Sequence, residues 1–409
     1  MKILIYTHFF NPESGAASVR IQYLVEAIKK AGFEYFIIAP YPNYPRRAIF
    51  KDLNLKEFEK MEPIKYLPAF FPKKDTPINR MFSYFTYMIT SMVYSIFLLP
   101  KFDVIINSSP PIFTSLAAAV VSKIKGSKFI WDIRDIWPDI GVEIGIIKNG
   151  LVIKVIQFVE KFLLKNSDYI TVTANGDKEN LISKNFPENK IITLFNGADT
   201  ELFKPLNDSE KQKVKQKYSI PLDKKIFVYF GSFNFGMNDV GLLSISLAEL
   251  QNLSDKFHIV LIGDGNNRKE FVGRIKGKIE FTYFNNLNKS EIAKIVASSD
   301  WSLIPRKFIE NDTGGNIPVK CFESWACGVP VLLSGINGTE VQKIFESIKL
   351  GKFIKPNNKD ELKKTLTEIL NEEVAETTKI YGREFVIQNY DRNIQSLKLI
   401  EIVKTLEYE

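Results

Sequence analysis

Lys320 and Glu323 stand three residues apart in the stretch "GGNIPVKCFESWACGVPVLLSG", Gly314 to Gly335, so on a helix an ammonium and a carboxylate share one face. Pro318 suits the first turn of that helix, and the apolar run after Cys327 resumes a sheet. A carboxylate near a helix start is stabilised by the helix dipole and can present both oxygens to a pair of neighbouring hydroxyls. A second acid-rich stretch is "WDIRDIWPD", where Asp132 and Asp135 flank Arg134; each carboxylate can orient a hydroxyl and take its proton, or pair with the arginine. Turn glycines follow strand-like runs at Gly15, at Gly231 beside Ser232, and at Gly263 and Gly265 of "GDG". There a backbone can approach a diphosphate closely, although each glycine also serves a plain structural turn. The chain holds two histidines, His8 and His258, and two cysteines, Cys321 and Cys327, six positions apart. That inventory weighs against a His-centred triad, a C-x-x-C motif and a disulfide framework, excludes a His-rich metal site, and fits buried thiols in the cytoplasm.

The elements that must hold these groups alternate along the chain. "KILIYT", "EYFIIAP", "DVIINSS", "KFIWDI", "YITVTA" and "KIITLFN" are short, β-rich apolar runs separated by helical periodicity, such as Ile21, Leu24, Val25 and Ile28. "KKIFVYFGS" opens a second cycle that continues through "HIVLIGDG", "IEFTYF", "DWSLIP" and "VPVLLSG", and only helical runs follow "GKFIKPNN". The pattern predicts an α/β chain of two Rossmann-like domains, residues 1–198 and 199–390, with a C-terminal helix at 391–409 packing back on the first. The length of 409 residues fits two domains. Two such domains would face a central cleft at the carboxyl ends of their strands, where helix N-termini favour anions. The opening "MKILIYTHFFNPES" reads as a first strand rather than a signal peptide.

Nine Lys or Arg stand against five Asp or Glu between Arg46 and Arg80, a stretch that holds half of the net charge of +8 and is interleaved with aromatic residues. Such a segment suits an anionic surface: a phospholipid membrane, a lipid-linked phosphate or nucleic acid. Met81 to Leu99 carries no charge and nearly reaches spanning length. Its serines and threonines gather on one half of a helix, and a strand follows at once. It is therefore expected to be an amphipathic helix of the first domain rather than a span.

Taken together, "NPESGAASVR", "YPNYP", "SSPP", "WDIRDIWPD", "FNGADTELFKP", "GDG" and "ESWACGVPV" resemble the retaining GT-B glycosyltransferases of family 4 over nearly the whole chain. The resemblance implies that Glu323 holds the ribose of a nucleotide sugar. It implies UDP-sugar as donor, a lipid-linked saccharide as acceptor, no metal and no other cofactor, no nucleic-acid partner, and work at the inner face of the cell membrane. The family's first motif carboxylate falls at Gly315, where none exists, so the donor pocket is expected to favour an N-acetylamino sugar. The family's usual pyrophosphate cations are missing after "YFG", which leaves Lys320, Arg306 and the helix N-terminus for that task. Arg134 stands where many relatives carry a histidine, leaving Asp135 and Asp132 as candidates for the acceptor hydroxyl. Gly15 and Arg20 fall in the loop expected to meet acceptor or phosphate. The competing readings are an isomerase of the same architecture, such as a non-hydrolysing UDP-N-acetylglucosamine 2-epimerase, and a non-catalytic binder of glycan or nucleic acid.

Overall fold

Alternation decides which core each strand residue joins. In β1 (Lys2–Tyr6), Ile3 and Ile5 enter one cluster and Leu4 and Tyr6 another, because successive side chains on a strand point to opposite faces. This computed structural model describes residues 1–13, 15–43, 50, 52–71, 76–136, 150–234, 238–285, 287–307 and 317–407. It divides into two units, Met1–Phe195 with Gln395–Glu409, and Asn196–Ile394.

In the first unit, β1 pairs in parallel with β2 (Glu34–Pro40) on one side and β4 (Val104–Ser109) on the other. β3 (Ile64–Leu67), β5 (Lys128–Ile133), β6 (Tyr169–Val172) and β7 (Ile191–Thr193) complete a seven-stranded sheet of order β3-β2-β1-β4-β5-β6-β7. One face is covered by helices Ala16–Lys30 and Arg392–Glu407, through Leu24, Ile28, Leu399 and Val403. The other is covered by helices Pro77–Leu98, Ile112–Lys125 and Gly150–Asn166, through Tyr87, Ala117 to Ala119 and Leu163. The three alanines are fully buried and let a helix lie close to the sheet. Gly126, at φ +62, ends that helix in the left-handed conformation that glycine adopts without steric cost.

The second unit repeats the plan with β8 (Lys225–Phe230), β9 (Phe257–Ile262), β10 (Phe281–Phe284), β11 (Trp301–Ile304), β12 (Val331–Ser334) and β13 (Gly351–Ile354), in the order β10-β9-β8-β11-β12-β13. Its central strands are apolar at nearly every position, as burial on both faces requires. In both sheets the order reverses beside the first strand, between β1 and β4 and between β8 and β11. Loops leave in opposite directions at that point, which opens a crevice at the carboxyl ends.

The edge strands β3 and β13 escaped the sequence reading. Each is four residues long and interrupted by a lysine, Lys65 or Lys352, so neither shows the continuous apolar run of an inner strand.

Arg20 and Asp132 tie helix Ala16–Lys30 to β5 inside the first unit. Nη2 meets Oδ1 at 2.7 Å and Nε meets Oδ2 at 3.1 Å, while Ser108 and Thr171 donate their hydroxyls to the same carboxylate. Burial pushes the Asp132 carboxyl up, but the Arg20 guanidinium, the Thr171 hydroxyl and Arg134 outweigh it and hold the carboxyl below its ordinary value. The pair therefore stabilises the fold above the ordinary carboxylate value of 3.8 and loses that contribution as acid passes below it. Arg20→Met should lower the unfolding free energy by about 3–5 kcal/mol at neutral pH, because it strands a buried carboxylate. Arg20→Met with Asp132→Leu should cost less than the single change, as read by denaturant unfolding.

Candidate functional site

Glycine at the end of β8 makes room for a lysine. Gly231 follows the strand at φ +140, and a Cβ there would come within 1.9 Å of Lys320 Nζ. Gly263, after β9, packs as closely: its Cβ would meet the Gly231 carbonyl oxygen at 2.0 Å, and a Cβ on Gly265 would meet the backbone of Phe233 at 2.6 Å. Lys320 therefore lies across the carboxyl end of β8, with Nζ 5.1 Å from the centre of the Tyr229 ring. Burial pushes its ammonium down to about 8 against the pull of Cys321 and Glu323, and no described residue gives it a hydrogen bond or ion pair. Ser232 is turned by its own loop: its carbonyl accepts from Tyr229 Oη at 2.6 Å and its hydroxyl from the Asn234 amide at 3.2 Å.

Helix Val319–Ala326 carries Lys320 and Glu323. Pro318 is its N-cap, and Phe322 and Trp325 anchor it in the core. Glu323, one turn beyond Lys320, is buried, and its Oε1 accepts from Arg392 Nη2 at 3.1 Å. No described residue donates to Oε2. Burial raises the Glu323 carboxyl above its ordinary value, with Arg392, Lys289 and Lys320 pulling the other way. Arg392 is fixed in turn by the Asn196 carbonyl, 3.1 Å from Nε. Arg306 follows β11, is buried, and exchanges two backbone bonds with the Ser334 hydroxyl at the end of β12. Gly315 lies outside the described residues.

Lys289 was not singled out from the sequence. It begins helix Lys289–Ala297, where Asn288 and Glu291 form a capping box. Burial and the repulsion of Arg392 push its ammonium down to about 8, against the attraction of Glu323 and Asp199. Its one sequence signal was a lysine in a first turn, where the helix dipole disfavours a cation. One buried carboxylate thus has three cations around it, and two of them, Lys289 and Lys320, lack a hydrogen-bonding partner among the described residues. Such an excess of positive charge suits an anionic ligand that also offers hydroxyls to a carboxylate.

In the first unit, the ends of β1, β4 and β5 bring Thr7 and His8, Ser109 and Pro110, and Arg134 and Asp135 to one edge. Arg134 donates to the Ser109 carbonyl at 3.1 Å and the Pro110 carbonyl at 3.0 Å. Asp135 accepts no hydrogen bond from the described residues; burial raises its carboxyl and Arg134 opposes the rise. Asp132 spends both oxygens inside the sheet, and Arg20 is turned to it and to the Leu194 carbonyl. Gly15 is the N-cap of helix Ala16–Lys30, with ordinary φ of −69. His8 is the group the sequence reading passed over. It is buried, its Nδ1 has no partner among the described residues, and the rings of Phe9, Tyr84 and Tyr87 meet it edge-on at 4.8–5.4 Å. Burial and the nearby Arg134 push its imidazole down to about 3, so it is neutral at physiological pH. Its signal was its place directly after the first strand, at the reversal of strand order. Among the described residues no group of three or more His, Cys, Asp and Glu side chains could hold a metal ion.

Residues 210–385 match the family described as glycosyl transferases group 1, and residues 17–202 match glycosyltransferase family 4. An Escherichia coli K12 protein named as the colanic acid biosynthesis glycosyl transferase WcaI is 21% identical over 358 residues, 85% of this chain and 86% of that protein. Among solved structures, a sucrose-phosphate synthase from Thermosynechococcus elongatus superposes with a TM-score of 0.76 at 16% identity, covering 100% of this chain and 99% of that one. Anabaena HepE in complex with UDP-glucose superposes at 0.70 and 14% identity, covering 99% and 100%.

Arg392→Met tests the electrostatic arrangement. It leaves the Glu323 carboxylate buried with one ion partner fewer, and should cost about 3–5 kcal/mol of stability. A raised carboxyl holds its proton more tightly in the folded state, so stability falls as pH rises above the ordinary value of 4.5. Losing Arg392 raises that carboxyl further. Denaturant titrations should therefore show a larger loss at pH 8 than at pH 5, and an equal loss would contradict the arrangement.

Proposed function

The chain belongs to the GT-B glycosyltransferases of family 4, and from that premise we propose a retaining transfer of sugar from a UDP-sugar to a lipid-linked glycan. The product feeds surface polysaccharide synthesis from the cytoplasmic side of the membrane. One observation carries the reading: Glu323 and Lys320 share a helix face while Lys320 crosses Gly231 at the end of β8. In this reading Glu323 accepts both ribose hydroxyls, and donor binding reorganises its contact with Arg392. Lys320, Arg306 and the open amides of the turn after Pro318 take the diphosphate. Gly231, Ser232, Gly263 and Gly265 let backbone approach it closely. The names of two similar proteins support the direction, one for colanic acid synthesis and one for its complex with UDP-glucose.

The reaction forms a bond from the acceptor oxygen to the anomeric carbon as the bond to the UDP oxygen breaks, on the same face of the sugar. No protein nucleophile is needed, unlike in the two-carboxylate glycosidases. Asp135 orients the acceptor hydroxyl, and its raised carboxyl suits it to take or share the departing proton. Arg134, at the same edge, steadies that charge, while Asp132 holds the strand that carries both. Gly15 leaves space at the start of its helix for the acceptor's phosphate. Lys320 and the helix amides stabilise the leaving diphosphate, so a chelator should leave turnover unchanged.

Glu323→Gln should keep the fold and weaken UDP binding about tenfold to a hundredfold, the worth of a charge-assisted hydrogen-bonded pair. Calorimetry that finds unchanged affinity in the folded variant sinks the ribose assignment. A panel of UDP-sugars separates the remaining readings. Slow UDP release marks a transferase, an epimer marks an isomerase, and an unaltered donor marks a binder. With glycine at position 315, UDP-linked N-acetylamino sugars should be turned over faster than UDP-glucose, the preference being worth about 1–3 kcal/mol. UDP-glucose matching every N-acetylamino sugar would refute the role given to Gly315.

A further inference from the structure

Two helices of the first unit carry apolar stripes on their outward sides. In helix Pro77–Leu98, Ser83, Ser91 and Ser95 are buried against the domain. Tyr6 of β1 donates its hydroxyl to Ser95 Oγ at 2.5 Å, and Tyr87 donates to the carbonyls of Thr7 and Ile38 at 3.0 Å each. Phe82, Phe85, Ile89, Val93 and Phe97, three or four residues apart, form the opposite stripe, and Phe97 is 77% exposed. Helix Gly150–Asn166 packs Ile156, Val159, Phe162 and Leu163 inward, yet it too carries an apolar stripe on its outer side. Its Glu160 is buried in an ion pair with Lys184 at 2.6 Å, whereas Leu151, Val155 and Phe158 share an outward stripe, Phe158 being 73% exposed. Helix Ile112–Lys125 packs against both and exposes Ile124. In water a helix turns serine and glutamate outward and phenylalanine inward, so this face is made for a different medium.

Charge identifies that medium. Asp103 is the one acid between Met81 and Lys125, and Glu160 is the one acid in helix Gly150–Asn166. The exposed charges on the three helices are Arg80, Lys123, Lys154, Lys161 and Lys165, all cationic. We propose that this face docks on an anionic phospholipid bilayer, its apolar stripes entering the acyl boundary while the lysines meet lipid phosphates. A second copy of the chain fits less well, since an isologous contact would set lysines against lysines. By length and composition, Asn79–Leu98 could cross a membrane. Crossing would break the bonds from Tyr6 and Tyr87 and remove Tyr87 and Met88 from the core, so the helix lies in the interfacial plane. The inference deepens the lipid-linked acceptor of the proposed function, yet its observations are independent of the sugar chemistry.

Flotation of the full chain with vesicles tests it. Binding is expected to vesicles of equimolar phosphatidylglycerol and phosphatidylcholine, and to weaken on phosphatidylcholine alone. Phe82→Ser, Phe97→Ser and Phe158→Ser combined should reduce partition at least about tenfold, because three exposed rings no longer enter the acyl boundary. Lys154→Glu, Lys161→Glu and Lys165→Glu combined should weaken binding at low salt, with the difference shrinking as salt screens it. UDP affinity in solution should be the same in all three proteins. The proposal is overturned if the parent does not float with anionic vesicles, or if the phenylalanine variant floats equally. It is also overturned if sedimentation shows a dimer without lipid that the phenylalanine variant dissociates, which makes the face a contact between copies. Vesicle binding without UDP binding would leave the docking face standing and remove the sugar-transfer reading instead.

Discussion

Parallel pairing is the constraint from which the sites follow. A parallel strand reaches its neighbour only through a crossover, so every strand of a sheet ends at the same edge, and both faces must be covered by the connecting helices. A polar group inside such a sheet needs a partner at once, whereas the carboxyl edge offers loop backbone, helix starts and solvent. In the first unit that edge gathers His8, Pro110, Arg134 and Asp135 after β1, β4 and β5. In the second it gathers Gly231, Gly263 and Arg306 after β8, β9 and β11.

The two units treat buried charge differently. Asp132 is matched by Arg20 and two hydroxyls, which leaves its oxygens fully occupied and helix Ala16–Lys30 fastened to β5. Around Glu323 the balance is uneven, with Arg392 bonded to it and Lys289 and Lys320 nearby with depressed ammonium groups. An ammonium half withdrawn from water without a partner costs free energy, and an anion bound beside it would recover that cost. The glycines serve the same end. A side chain at position 231 would occupy the space Lys320 fills, so the lysine and the missing Cβ are one feature.

Helix Pro77–Leu98 shows how far pattern alone reaches. Periodicity predicts an amphipathic helix with hydroxyls on one half, and the helix forms with that division. The half that faces the sheet is the one that pairs there: Ser95 accepts from the Tyr6 hydroxyl, and Tyr87 donates to the Thr7 and Ile38 carbonyls. Hydrophobicity, taken by itself, would have turned the phenylalanines inward.

The sequence by itself determined the order of strands and helices, the two Rossmann-like cycles, and the sharing of one helix face by Lys320 and Glu323, because each of these depends on spacing within one element or between neighbours. Short edge strands such as β3 and β13 stayed illegible, since a lysine inside four residues breaks the apolar run that marks a strand. Tertiary structure alone decided that Arg20 belongs to Asp132, 112 positions away, and that Arg392 meets Glu323 across 69. It alone placed Lys289 beside that carboxylate and His8 near Arg134. Spacing within an element sets the direction of a side chain. What stands opposite is set by how the crossovers stack the elements, and the energy of a buried charge depends on that opposite group.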